Sequence, residues 1–340
     1  MFFRPKVEKY AISGNKEKLF ELLKHRSYQV RIDSMMALFK LYENEPESAE
    51  TMRFMLNDKN PRVRNRAAML FARLGDESVI DNLFEIITTG SLAEQVEVLR
   101  ILPHYYKWDN DKITQILALA LKDKKVVVQG EAIKTIGEMG IETMAFYLLE
   151  FVNHPSIRIR LDTVTALGLT GNPLGTDELI GALTDSSPEV RKAAEASLRK
   201  LGTDKALNAL KDAPFMLMVK SMNEGVTKRQ NTVMNIGKQK RYEGLPLLHK
   251  ACHDEYKNIR MEAIKSIGML RDPSSLNVLI EMLNDKYYDI RIEAVKNITK
   301  YNNNTALNAL KTAMDDPNTN VRMEAKRGFA KLKSRLSPEN

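Results

Sequence analysis

Few side chains in this chain could do covalent or metal chemistry. There are five histidines, His25, His104, His154, His249 and His253, and one cysteine, Cys252. His249 and His253 lie four residues apart with Cys252 and Asp254 beside them, so on one helix they would offer part of a metal-ligand set. A polar cluster where a helix runs into a loop would look the same. No HExxH, Walker loop or GxGxxG occurs. Cys252 alone is a weak nucleophile candidate, and a buried, inert thiol is the simpler reading. No catalytic residue, metal or cofactor is therefore expected.

Charge is the other chemical resource. The 340 residues carry a formal net charge of +8. From Val226 to the end there are 21 Lys and Arg against 13 Asp and Glu, which leaves 31 of each sign in residues 1–225. All of the excess therefore lies in the last third. One cysteine rules out an internal disulfide, and no apolar run reaches membrane-spanning length. The opening Met1-Phe2-Phe3-Arg4-Pro5-Lys6 lacks the apolar core of a secretory signal. A soluble, cytoplasmic protein is the expectation.

The elements that position these charges follow from an internal repeat. Asp254–Gly268 reads DEYKNIRMEAIKSIG and Asp285–Thr299 reads DKYYDIRIEAVKNIT. The shared pattern is Asp, five residues, Arg, a small residue three on and an apolar residue seven on. The Arg slots are Arg31, Arg64, Gln95, Gln129, Arg160, Arg191, Arg229, Arg260, Arg291 and Arg322, at steps of 33, 31, 34, 31, 31, 38, 31, 31 and 31. Seven residues beyond each slot stand Leu38, Phe71, Leu102, Ile136, Leu167, Leu198, Ile236, Ile267, Ile298 and Phe329. Apolar spacing of three and four predicts two helices per unit, and neither can bury its apolar face without a neighbouring unit.

The pattern D-x5-R-x-x-A-x-x-x-[IL]-G resembles short HEAT repeats of the phycobilin-lyase-like kind, from about Gly14 to Leu336. The resemblance implies an all-α, right-handed α-solenoid (an alpha-alpha superhelix, armadillo-like) of about ten helical hairpins. Residues 1–225 would hold repeats 1–6 with an N-terminal capping helix and a junction. Residues 226–340 would hold repeats 7–10 with a C-terminal cap, in one continuous solenoid. It also implies a structural ladder built from Asp58, Arg64, Asp185, Arg191, Asp254, Arg260, Asp285, Arg291, Asp316 and Arg322. Gln95, Gln129, His25, Thr89 and His154 depart from that ladder. The enzymes of this superfamily find no support in the residues. No His-Glu dipeptide serves a di-iron hydroxylase, no residue speaks specifically for a lyase-type chaperone, and only Trp108 with Asp109 and Asp111 is distantly like a DNA glycosylase centre.

By the same resemblance the Arg helix lines the concave, partner-binding face. Two beyond the slot stand Asp33, Glu97, Glu131, Asp162, Glu262, Glu293 and Glu324; five beyond, Arg100, Lys134, Lys265, Lys296 and Arg327; nine beyond, Lys40, Arg73, Lys200, Lys238, Lys300 and Lys331. These offsets share one helical face. The expected function is a non-enzymatic protein–protein interaction scaffold or adaptor. Its candidate contacts are Lys238, Lys265, Lys296, Lys300, Arg327 and Lys331, with the aromatic cluster Tyr105, Tyr106 and Trp108. The expected partner is another protein or peptide, of acidic character. The alternative is nucleic acid on the basic C-terminal third. Interleaved acids and sparse aromatics weigh against it. The seven-residue excess before Arg229 reads either as a hinge or as a Met-rich contact surface.

Overall fold

The computed structural model describes residues 5–42, 49–105 and 110–336. Every regular element among them is helical. The chain divides into two compact units, Met1–Leu210 and Lys211–Asn340. Unit 1 runs through α1 (Pro5–Ile12), α2 (Lys16–Leu22), α3 (Tyr28–Leu41), α4 (Pro61–Arg73), α5 (Ile80–Thr89), α6 (Leu92–Ile101), α7 (Asn110–Leu121), α8 (Val126–Met139), α9 (Ala145–Leu148), α10 (Ile157–Thr170), α11 (Thr176–Ala182) and α12 (Pro188–Leu201). Helix α13 (Asp204–Met222) carries the chain into unit 2. There follow α14 (Val226–Lys238), α15 (Leu245–Ala251), α16 (Lys257–Leu270), α17 (Leu276–Glu281), α18 (Tyr288–Ile298), α19 (Asn304–Ala313) and α20 (Thr319–Leu336).

The ten helices that carry the slot residue all begin three residues before it, from Tyr28 ahead of Arg31 to Thr319 ahead of Arg322. A side-chain turn sets that register. The Asp six residues before the slot accepts the backbone N–H two residues on, as Asp58 does from Asn60 at 2.8 Å and Asp316 from Asn318 at 2.7 Å. Such Asx turns halt one helix and start the next. His25 and His154 fill the same place differently: the Nδ1 of each accepts the N–H of Ser27 and Ser156, both at 3.1 Å. These two residues break the charge pattern yet preserve the turn.

The slot arginine completes the loop and joins it to the following repeat. Arg160 donates through Nη1 to the carbonyl of His154 at 3.0 Å, while Nε and Nη2 grip Asp185 at 2.8 and 2.9 Å. Arg31 grips Asp58, Arg260 grips Asp285 and Arg291 grips Asp316 in the same forked way. The carboxylate therefore belongs to the next repeat, not to the arginine's own. Arg64, Arg191 and Arg322 bind the carbonyl side, to Asp58, Asp185 and Asp316, and Arg322 also donates to Thr319 Oγ1 at 2.9 Å. Gln95 keeps both contacts in neutral form, giving one amide to Ile87 O at 2.7 Å and Asp123 at 2.9 Å. Gln129 reaches the carbonyl of Leu121.

Within each unit successive slot helices pack side by side. Nine of the apolar residues seven beyond the slot are buried, Leu38 to Ile298, and Phe329 is half-buried. The approach is closest where a glycine faces a small residue of the next helix. A Cβ on Gly168 would stand 2.8 Å from the Cα of Ser197. The space is used by the Ser197 hydroxyl, which donates to Val164 O at 2.9 Å. At the last pair the roles reverse, with Gly328 facing Thr299.

The seven extra residues before Arg229 lengthen α13 to 19 residues with Pro214 inside it. Its Met-rich stretch supplies core to unit 2: Met218 is buried, and Phe215, Val219 and Met222 pack against the same cluster.

Two outcomes follow for stability. Gly168→Ala forces two helices apart and lowers stability by about 1–3 kcal/mol. Gly181→Ala, in a helix with open space around it, leaves stability unchanged or raises it by about 0.4–1 kcal/mol. Urea titration of both variants checks the contrast. The second outcome concerns pH. Burial alone would raise the carboxyls of Asp58, Asp185 and Asp316, but their arginine partners and turn N–H groups hold all three below the ordinary value. A lowered folded pKa gives stability that is complete above the unfolded value of about 3.9 and is lost as pH falls through the folded one. Asp185→Ala therefore costs about 3 kcal/mol near neutrality, by stranding Arg160. That penalty shrinks as urea unfolding is repeated below about pH 4.

Candidate partner-binding face

The residues two, five and nine beyond the slot line one face of each slot helix, and the two units use it differently. In unit 1 Arg66, Arg73, Arg100 and Lys134 are tied across helices. Arg66 donates to both oxygens of Glu97 at 2.8 and 3.0 Å, and Arg73 to the same carboxylate at 2.9 Å. Arg100 reaches Glu131 at 2.7 Å, and Lys134 lies 3.7 Å from Asp162. Glu97, Glu131 and Asp162 thus each receive a cation from the preceding repeat.

In unit 2 the corresponding stitching is absent among the described residues. Lys265 on α16 and Lys296 on α18 are exposed and form no ion pair there. Glu293, which stands to Lys265 as Glu131 does to Arg100, accepts from Asn297 Nδ2 at 3.0 Å. Arg327 lies 3.9 Å from Glu324 of its own helix. Lys238 and Lys331 are exposed as well. Lys300 differs from these: its ammonium donates to Gly268 O at 3.2 Å and to the Asn297 side chain at 2.6 Å. Burial, then Arg271, pushes its pKa down. Apolar groups flank the cations: Met261 and Ile292 are half-buried, and Met269 and Met323 are exposed.

The tyrosines at the α16 and α18 entries were not singled out by spacing. Arg229 stands over the Tyr256 ring at 5.4 Å, and Lys257 and Arg260 over Tyr287 at 4.7 and 5.6 Å. Their signal was a Tyr two residues beyond the loop Asp in repeats 8 and 9. Of the predicted aromatic cluster, Tyr106, Trp108 and the side chain of Tyr105 lie outside the described residues.

Unit 1 also holds a groove of about 810 Å³ on this face, lined by Met36, Arg66, Arg73, Val96, Glu97 and Arg100 among others. Arg66 is not marked by the repeat pattern, because it interrupts an acidic row. A basic residue where seven other repeats carry Asp or Glu was the available signal.

The groups able to do chemistry are spoken for. Cys252 is fully buried, and burial, with Glu281 adding to it, pushes its thiol up to about 12. His249 Nε2 lies 2.8 Å from Ser275 Oγ, and His253 Nε2 lies 3.3 Å from Glu281. Burial lowers the His249 pKa against the pull of Asp272 and Glu281. The described residues contain no group of three or more metal-ligand side chains. None of their helices is long and apolar enough to cross a membrane.

A sequence model of the family described as HEAT repeats matches residues 17–95, 144–213, 217–293 and 276–339. No curated protein matches the chain. Among solved structures, an engineered protein is 17% identical, with 94% of this chain and 99% of that one covered at a TM-score of 0.43. The complex of CpcE and CpcF of phycocyanin lyase from Nostoc sp. is 15% identical, covering 65% and 92% at 0.27. Kap95p bound to RanGDP is 13% identical, covering 97% and 53% at 0.48.

The geometry separates a structural lysine from a surface one. Lys300→Ala leaves the buried Asn297 carbonyl oxygen without its donor and costs about 1 kcal/mol. Lys296→Ala changes stability by less than about 0.5 kcal/mol. Paired thermal melts read the difference.

Proposed function

Because the chain belongs to the HEAT-repeat family, we propose that it is a non-enzymatic interaction scaffold whose unit 2 slot-helix face holds an acidic segment of a partner protein. Repeats of this family generally mediate protein interactions. The observation that carries the reading is the exposed, unpaired Lys265 and Lys296 on neighbouring slot helices, with Arg327 continuing the row. Packed helices lie about 8–10 Å apart. A peptide in the polyproline II conformation rises about 3.1 Å per residue and returns to the same face at every third residue. Carboxylates at every third residue would therefore meet successive cations of the row. Met269 and Met323 beside the cations offer apolar contact to the intervening side chains.

Glu262, Glu293 and Glu324 stand two beyond their slots and would repel a phosphate backbone running along the same face. A protein partner with alternating character tolerates such a mixed face better. The buried Cys252 thiol, raised to about 12, stays protonated near neutrality and supports a reading without nucleophilic catalysis.

The test uses carbodiimide, which couples lysine amines to carboxylates in direct contact. Captured partners should cross-link at Lys265 and Lys296, and Lys265→Glu with Lys296→Glu should weaken capture by about tenfold or more. Undiminished capture by that double variant rejects the reading. Tighter binding to duplex DNA than to any captured protein, with a steep salt slope, would favour nucleic acid instead.

A further inference from the structure

We infer that the groove in unit 1 between α3, α4 and α6 is a second binding site, for a short peptide that presents an acidic residue beside a large apolar one. The inference rests on the reading that the slot-helix face is where partners bind. The site itself lies in the part of the chain whose formal charge sums to zero.

Among the described residues, three guanidinium groups line the groove, Arg66, Arg73 and Arg100, against one lining carboxylate, Glu97. Glu97 is bridged by Arg66 and Arg73 together, and Arg100 turns to Glu131 on the next slot helix. A guanidinium carries five N–H donors in a fixed fork, and a carboxylate has about four acceptor sites. Arg66 bonds Glu97 through Nη1 alone and Arg100 bonds Glu131 through Nε and Nη2, so Arg66 Nε and Nη2 and Arg100 Nη1 meet no protein acceptor among the described residues. Arg73 and Arg100 are 52% and 66% exposed. Their present ion pairs are surface pairs, weak and exchangeable. Met36 and Val96 offer half-buried apolar surface, and Ile101 closes the floor. A volume of about 810 Å³ has room for a few residues of a bound segment.

Glu97 then acts as an internal stand-in for the partner's acid, holding the guanidiniums in place while the groove is empty. A carboxylate arriving on a peptide competes with it for Arg66 and Arg73 and also finds Arg100 within the same groove. The apolar floor distinguishes this ligand from a bare anion: inorganic phosphate would satisfy the arginines but leave Met36 and Val96 uncovered.

The experiment pans a random dodecapeptide display library on the full chain and measures selected peptides by fluorescence anisotropy. Selected sequences should share an Asp or Glu adjoining Leu, Ile, Met or Phe. Arg66→Ala with Arg100→Ala should weaken them by about tenfold or more. Glu97→Gln keeps the shape but removes the competing charge, so it should tighten them several-fold. Thermal melts confirm that each variant is folded. Lys265→Glu with Lys296→Glu should leave these peptides unaffected, which separates this site from the unit 2 face. Any of these results overturns the inference: no peptide selected, selected peptides without an acid, affinities indifferent to Arg66, Arg100 and Glu97, or complete displacement by millimolar phosphate but not by a non-phosphorylated acidic peptide. Loss of binding in the lysine variant alone would reject this site and leave the unit 2 reading standing.

Discussion

The forked grip of the slot arginine on two different loops is the interaction on which the repeat depends. One amino group holds the carbonyl six residues back, so the loop and its own helix form one rigid piece. The remaining donors hold the carboxylate of the following repeat, so that piece is registered against its neighbour. Arg160 does both, with His154 O on one side and Asp185 on the other. The carboxylate in turn organises the next turn through the N–H of Ser187. Each loop is thus folded partly by its own residues and partly by the repeat before it. That coupling is what nearest-neighbour stability in repeat proteins requires.

The arrangement tolerates substitution where the geometry survives. Gln95 replaces a guanidinium with an amide and still reaches both Ile87 O and Asp123. His154 replaces a carboxylate with a ring nitrogen and still closes the turn. Gln129 in the preceding slot is neutral, so no buried arginine is left facing an imidazole. A charged partner on one side only would leave an uncompensated group, which costs far more than a neutral pair.

Packing and charge then divide the labour along the slot helices. Small residues at Gly168–Ser197 and Gly237–Ser266 bring helices close and bond them through a hydroxyl. On the solvent face the same helices carry acids and cations whose pairing differs by unit. In unit 1 arginines cross to the next helix and largely neutralise the acidic row. In unit 2 lysines replace them, Glu293 folds back on Asn297, and Lys265 and Lys296 remain open to solvent. The free charge on this face thus depends on the pairing between neighbours as well as on the number of basic residues.

The sequence by itself determined the helical hairpins, their starts and their buried line. The slots marked ten helices, which the structure starts three residues before each slot, and nine of the ten apolar positions seven beyond are buried. Those features are set by contacts within one helix or one turn, where spacing along the chain is spacing in space. Tertiary structure decided the rest. Which loop each arginine serves, why a glycine recurs after the core residue, that Lys300 is braced on Gly268 while Lys296 is not, and that Arg66 joins Arg73 around Glu97 all depend on the offset between neighbouring helices. That offset is a balance of packing over many side chains, and no single residue spacing encodes it.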